Sequence, residues 1–442
     1  MKHSPFSSLR LRVVYSAFMA MVLVACGAAP TPPVTPTSTE KTVLHVYTYN
    51  QPPMSQVTDI ATKAFNAIHP DITVQIDAIT GDPVKEIASM VKTNQTADVV
   101  WTIDALTPSL VDAGVLLDMS EMANIDSAFK KEDVDPRAIA GGNMQNDPGL
   151  YMVPAVMESV QMYFNKTMFK KAGVPLPSAD WKWDDLLAAC KQIQSALANV
   201  SCVGYSNAVQ QDPSWWGFMV PWIRGYGGDV LSSDGKLSTL SKPEALAGLQ
   251  AYIDLWNKYH VAAQTGQRGF CFIAQRCAVM FWISGGLAQY QDRIGKDFEW
   301  DAQLMPAFPK GRFTGSAIYG YGIAKTSTHP DLAWEYVKLM ASAGVQMSIA
   351  KNRAGMPVLK SVLTDPVMNS TSAFPVNMQV FISGAEYGIA PRSYPVACGT
   401  FYNGLVQSAL SEAYKAALEN GKVYDAFKKA DATIQNCIDG AQ

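Results

Sequence analysis

Very little in this 442-residue chain points to nucleic acid or to a standard catalytic scaffold. Charged residues make up only 17% of it, and the net charge is −3. No basic stripe runs along any segment, which excludes the electrostatic footprint of a nucleic-acid binder. The five histidines (His3, His45, His69, His260 and His329) are scattered. There is no C-x-x-C, no H-E-x-x-H, no G-x-S-x-G, no P-loop and no G-x-G-x-x-G opening a helix after a strand. No metal and no cofactor is therefore expected. Internal repeats are absent too. After the first 25 residues no apolar run approaches the ~20 residues of a membrane-crossing helix. The body is expected to be soluble.

What is present begins at the amino end. Lys2, Arg10 and Arg12 form a basic start, Val13 to Ala25 an apolar run, and the run stops at Cys26. That is the layout of an export signal, too short to remain as a membrane span. Leu23-Val24-Ala25-Cys26 resembles the bacterial lipobox, in which the thiol is lipidated and becomes the new first residue. The alternative is an ordinary signal cut near Ala28, with no role for Cys26. Gly27 to Glu40 is rich in Pro and Thr, so 26–41 reads as an extended tether. Without residues 1–25 the chain loses three positive charges and stands at about −6. The remaining length exceeds what one core usually covers, so two domains are expected.

Setting Cys26 aside, six cysteines remain: Cys190, Cys202, Cys271, Cys277, Cys398 and Cys437. An even number outside the cell suggests disulfides, with fifteen pairings allowed for six. Proximity in sequence favours Cys190–Cys202 and Cys271–Cys277, leaving Cys398–Cys437. Six free thiols are the alternative.

Along the body, strands and helices alternate. Strands are expected at 43–50, 72–79, 97–104, 159–164, 201–207 and 277–286 from their β-branched and aromatic content. Helices are expected at 56–71, 82–93, 106–119 (ending near Gly114), 166–173 (closed by Gly173), 180–193 (capped by Asp180), 241–260 (capped by Ser241), 330–342 and 400–421. Pro154 reads as a chain break. The pattern predicts an α/β fold with a mostly parallel sheet, where ligands sit beyond the carboxyl ends of strands. The residues just past two strand ends are Tyr49, Asn50 and Gln51, and Thr102, Ile103 and Asp104.

The ordered series "FNAIHPDITVQI", "ADVVW…DAGVLLDM", "VPAVMESVQMYFNKTMFKKAGVPLP…WKWDDLLAACKQI", "AVMFWISGG", "MPAFPKG…GYGIAKTSTHPDLAWEYVKLMAS" and "GMPVLKSV" resembles the extracellular solute-binding proteins of ABC importers. The nearest group is the sugar-binding one that includes maltose-binding protein, and the likeness spans Val43 to Cys437. It implies a two-lobed α/β fold joined by crossing hinge strands, with ligand in the cleft between the lobes. The first lobe would comprise 42–153 with 300–345, the second 154–299 with 346–442. The implied function is capture of a carbohydrate, with an oligosaccharide the first choice, by hinge closure and delivery to a permease. A lipid on Cys26 would hold a monomer at the outer face of the cytoplasmic membrane.

Sugar sites combine aromatic faces, which stack on the C–H faces of pyranose rings, with polar groups that bind hydroxyls. The resemblance places Glu158, Trp215, Trp216, Tyr319, Tyr321, Phe401 and Tyr402 at the cleft. Tyr49, Asn50 and Asp104 join them from the strand ends. The family carries a tryptophan just after the glycine turn, where this chain has Leu287; Trp282 either stands in for it or belongs to the core. Arg353 and Arg392 are weaker candidates for hydroxyls or an acidic sugar. The competing readings are a lipid-anchored glycoside hydrolase and a binder of a polyol or glycerol-phosphate diester. The hydrolase requires two carboxylates about 5–10 Å apart across one bond; Glu158 and Asp104 are the pair that could serve.

Overall fold

A computed structural model describes residues 42–80, 86–87, 89, 97–141, 143–144, 147–205, 216–263, 271–369, 375, 377–389, 394–401 and 404–441. The chain divides into Met1–Glu40 and a compact unit, Lys41–Gln442. The export segment, Cys26 and the tether lie outside the described residues. So do the expected helix at 82–93, save three residues, and Trp215, Arg392 and Tyr402.

The compact unit is built on one nine-stranded sheet. In chain order its strands are β1 (Val43–Tyr49), β2 (Thr73–Ile79) and β3 (Val99–Ile103); then, past a small hairpin β4 (Asn143–Met144) and β5 (Asp147–Leu150), β6 (Val153–Asn165), β7 (Ser201–Tyr205), β8 (Cys277–Ile283), β9 (Trp300–Gln303), β10 (Thr314–Ile323) and β11 (Gly388–Ile389). The order across the sheet is β2-β1-β3-β10-β6-β8-β7, with β9 on β6 and β11 on β10. The pairs β1–β2, β1–β3, β7–β8 and β10–β11 are parallel, whereas β10 runs antiparallel to β3 and β6, and β6 antiparallel to β8 and β9, so the sheet is mixed and not mostly parallel as expected. The apolar runs of β3, β6 and β8 are buried at every position, as strands covered on both faces must be. The helix Met54–Ile68 buries Met54, Val57, Ala61 and Phe65, spaced three or four apart.

Three local expectations are corrected. Pro154 does not break the chain but lies inside β6, opposite Gly320, where the register shifts by one residue. An irregularity of this kind is where a strand tolerates a residue without an N–H. Asp180 does not cap the next helix. Residues 181–183 are drawn into pairing with Ala307, whose N–H donates to Trp181 O at 2.9 Å and whose O accepts from Trp183 N–H at 3.2 Å. The helix Trp183–Ala196 therefore starts later, with Asp185 accepting from Lys182 N–H at 2.8 Å. Ser241 does not cap Pro243–Asn257; its hydroxyl donates to Asp431 Oδ2 at 2.6 Å. The other signals stand. Gly173 closes Lys166–Ala172 at φ 66°, and Gly114 follows Thr107–Asp112 at φ 71°.

Three disulfides join Cys190 to Cys202, Cys271 to Cys277 and Cys398 to Cys437. This is the pairing favoured by proximity.

Candidate functional site

Strands β10 and β6 lie side by side at the middle of the sheet. Val153–Ser159 of β6 pair with β10, while Val160–Asn165 pair with β8 and β9. Strand β10 faces β3 along Tyr319–Ile323 and β6 along Ser316–Tyr321. Glu158 sits where β6 changes partner. It is 2% exposed. Its Oε2 accepts from Ser284 Oγ at 2.5 Å and from Gly285 N–H at 2.8 Å. Its Oε1 is buried with no hydrogen-bond partner. Burial pushes this carboxyl up to about 7, against the bonds donated by Ser284 and Gly285 that pull it down.

Two glycines make room around Glu158. A Cβ on Gly355 (φ +133°) would lie 2.9 Å from Oε1, and a Cβ on Gly285 would lie 2.8 Å from Pro53 in the loop after β1. Any larger residue at either place would push the carboxylate or its donor turn aside.

Three rings line up across neighbouring strands. Tyr49 at the end of β1 stacks on Trp101 of β3 (5.4 Å, 23°), and Trp101 stacks on Tyr319 of β10 (6.4 Å, 21°). Trp101 was not foreseen as a site residue. Trp101 pairs with Tyr321, Tyr319 with Val156, and Ala317 with Glu158. Residues two apart on a strand share a face, so Trp101, Tyr319 and Glu158 lie on one face of the sheet. The indole Nε1 of Trp101 is buried and has no partner.

Asp104 lies on the other face. Its N–H donates to Ile318 O at 3.1 Å and its Oδ2 accepts from Ile318 N–H at 3.2 Å, while Oδ1 accepts from Ala105 N–H. Ile318 is next to Ala317, the partner of Glu158, so Asp104 and Glu158 flank adjacent residues of β10, whose side chains point to opposite sides. Burial pushes Asp104 up to about 7 as well.

The remaining candidates are dispersed. Tyr321 is fully buried, and its hydroxyl is bonded to Thr48 Oγ1 at 2.7 Å and Thr58 Oγ1 at 2.6 Å, which sets it in the core. Trp282 is 6% exposed and packs against Gly286, where a Cβ would meet its indole at 2.5 Å; Leu287 is buried at the start of Leu287–Ile294. Phe401 is buried edge-on to Tyr394 (5.5 Å, 65°). Arg353 follows Ala343–Asn352 in a left-handed conformation, and its Nη1 donates to Pro375 O at 3.1 Å. Asn50 and Gln51 are exposed. Trp216 opens the helix Trp216–Gly225, with its side chain outside the described set. Among the described residues no three His, Cys, Asp or Glu side chains group as a metal set would, and no helix is long and apolar enough to cross a membrane.

Residues 48–347 match the family model of the bacterial extracellular solute-binding protein. A binding protein of Brucella abortus (strain 2308) is 25% identical over 311 residues, covering 67% of this chain and 71% of its own. In fold, the chain is similar to the ABC substrate-binding protein Lmo0181 of Listeria monocytogenes, solved in complex with cycloalternan. The TM-score is 0.77 at 21% identity, over 90% of this chain and all of that one. It is also similar to UgpB of Mycobacterium tuberculosis, solved in complex with glycerophosphocholine, with a TM-score of 0.76 at 17% identity over 90% and 98% of the two chains. Those neighbours are two-lobed α/β binding proteins. By the family match, with the fold in agreement, the chain belongs to the bacterial extracellular solute-binding proteins.

Proposed function

We propose that this protein captures a carbohydrate, an oligosaccharide by preference, between two lobes and delivers it to the permease of an ABC importer. The observation that carries the ligand class is the face holding Glu158, Trp101 and Tyr319. A buried carboxylate with one unpartnered oxygen needs a donor, and a sugar hydroxyl is one. The adjoining rings offer flat apolar surface for a pyranose. The Listeria neighbour, solved with cycloalternan, supports the same class.

In this proposal β6 and β10 are the crossing strands of the hinge. The lobes are 42–153 with 300–345 and 154–299 with 346–442. The pairing of Trp300–Gln303 with Met162–Asn165 supports a return crossing in β10, a little later than residue 300. A lipid on Cys26 tethers a monomer beside its permease. Trp215, Trp216, Phe401, Tyr402, Asn50, Trp282 and Arg353 stay candidates for outer contacts, and Tyr321 for support from beneath.

A glycerol-phosphate diester is the second reading, favoured by the likeness to UgpB. A phosphodiester oxygen offers no hydrogen to the unpartnered Oε1 of Glu158, whereas a sugar hydroxyl does, which favours the sugar. The hydrolase reading loses its pair, since Asp104 and Glu158 face opposite sides of the sheet.

The test is a thermal-shift panel of mono- and oligosaccharides, polyols and glycerophosphodiesters on residues 42–442. A ligand at 100 times Kd adds about 2.7 kcal/mol to the folded state. A persistent upward shift with one sugar is the expected result. A shift with glycerophosphocholine alone would move the assignment to the diester, and a shift that decays with release of product would restore the enzyme.

A further inference from the structure

We propose that the Ser284–Gly285 turn is the positioning element of the ligand site: it holds Glu158 by one oxygen so that the other meets the ligand, and it seats against Pro53 from the opposite half of the sheet. This rests on the reading of Glu158 as a ligand contact.

Strand register brings the two halves of the sheet together at Glu158. Strand β3 runs in the direction of β6, and its last residue, Ile103, pairs with Tyr319, the partner of Val156. Strand β8 runs against β6, and its last residue, Ile283, pairs with Val160. The carboxyl ends of β3 and β8 therefore approach each other from opposite directions and stop on either side of Glu158. Ligands of α/β proteins sit beyond such strand ends.

The turn that follows β8 is held from three sides. Tyr163 Oη donates to Ile283 O at 2.8 Å, just before the turn. The Trp282 indole backs Gly286. Pro53 closes the third side, so near that a Cβ on Gly285 would meet its ring. Pro53 lies between β1 and the helix Met54–Ile68, so it belongs to the other half of the sheet.

From that seat the turn aims the carboxylate. Ser284 is fully buried, and its Oγ and the Gly285 N–H both donate to Oε2 of Glu158. Two donors on one oxygen fix the plane of the carboxyl group, and so the direction of Oε1. That oxygen is enclosed and without a partner, a state that costs free energy until a donor arrives. An enclosed oxygen is reached only when the elements around it part. The Pro53–Gly285 contact spans the two halves of the sheet, so hinge opening breaks it and closure restores it. The same turn thus sets the ligand-facing oxygen and the seat on which the closed form rests.

The experiment is a double-mutant cycle on the full chain: Ser284→Ala, Glu158→Gln and the two combined, each titrated calorimetrically with maltotriose and with glycerophosphocholine. Ser284→Ala should weaken whichever probe binds by about tenfold when Glu158 is present, and by less than about twofold in the Glu158→Gln background. Equal losses in both backgrounds, or no loss in either, overturn the positioning role. Wild-type affinity in Glu158→Gln itself would instead remove Glu158 from the ligand, which is the failure of the underlying reading. Gly285→Ala drives a methyl into Pro53. It should lower both affinity and urea stability, and adding Pro53→Gly should recover most of each; a loss that Pro53→Gly does not relieve rejects the seat. If neither probe binds, urea denaturation against pH tests the aim of the carboxylate. Asp104 titrates in the same range on the other face, while burial holds Tyr163 protonated, well above its ordinary value; Glu158→Gln therefore serves as the blank. The Ser284 bond favours the ionised form of Glu158. Ser284→Ala should then carry the Glu158 share of the fall in stability to higher pH, and an unmoved profile rejects the proposal.

Discussion

Burial and hydrogen bonding pull Glu158 in opposite directions, and burial wins: the carboxyl titrates at about 7 in the folded chain instead of 4.5. A raised acid binds its proton more tightly folded than unfolded. Its contribution is full below the unfolded value and is lost as pH rises through about 7, a swing of about 3 kcal/mol for Glu158. Asp104 acts in the same sense. Stability by urea denaturation should therefore fall between pH 5 and pH 7.5, and Glu158→Gln should flatten that slope; an unchanged slope would show that Glu158 is ionised throughout. Tyr321 gives a second test. Tyr321→Phe takes one bond from each of the buried hydroxyls of Thr48 and Thr58, which keep each other and Met54 O as partners, and should cost about 1 kcal/mol of stability, with sugar affinity kept within about twofold if its role is support. A larger loss of affinity would put Tyr321 at the ligand. Glu158 was a candidate from the sequence because its surroundings matched a family pattern without a gap. Trp101 was not, because it lies inside the run "VVWTI" and reads as ordinary core; only its stacking on Tyr49 and Tyr319 sets it apart.

At the scale of elements, the β6–β10 junction shows how a local signal is overruled. Pro154 lacks the N–H that a central strand needs, yet it sits in one, because the register shift at Tyr319–Gly320 brings a glycine against it. That glycine is required. A Cβ at Gly320 would lie 2.3 Å from Val153 O, so Gly320→Ala must displace β6. The expected cost is about 1–3 kcal/mol, together with weaker ligand binding; a variant with wild-type stability by urea denaturation would mean that the junction is plastic. The caps tell a similar story. Asp180 and Ser241 have the right chemistry for helix starts, but pairing with Ala307 and a bond to Asp431 claim those segments first. Strand and helix identities were legible because each carries its own period; their ends were not, because distant partners compete for the same donors and acceptors.

For the molecule as a whole, all six paired cysteines fall on Cys190–Cys202, Cys271–Cys277 and Cys398–Cys437, and none in the elements from β1 to β6. Removing the buried Cys190–Cys202 bridge should cost about 3 kcal/mol of stability, the entropy of a short closed loop, while leaving sugar affinity unchanged in the fully folded protein. A fall in affinity would show that this bridge shapes the ligand site. If β6 and β10 are the hinge, X-ray scattering should show the body becoming more compact on adding the sugar found in the thermal panel; an unchanged radius of gyration would argue for a rigid site.

The order of apolar, polar and turn residues determined the α/β class, most elements, the disulfide pairing favoured by proximity and the family resemblance, because these depend on near neighbours or on a long ordered pattern. The tertiary structure alone decided which face each candidate occupies. It joined Trp101, Tyr319, Tyr321 and Glu158 on one side of the sheet, with Tyr321 buried there against Thr48 and Thr58, and sent Asp104 to the other. The reason is register: a side chain's face depends on which residue of another strand it opposes, and strands more than 150 residues apart in the chain choose that partner only when the whole sheet forms.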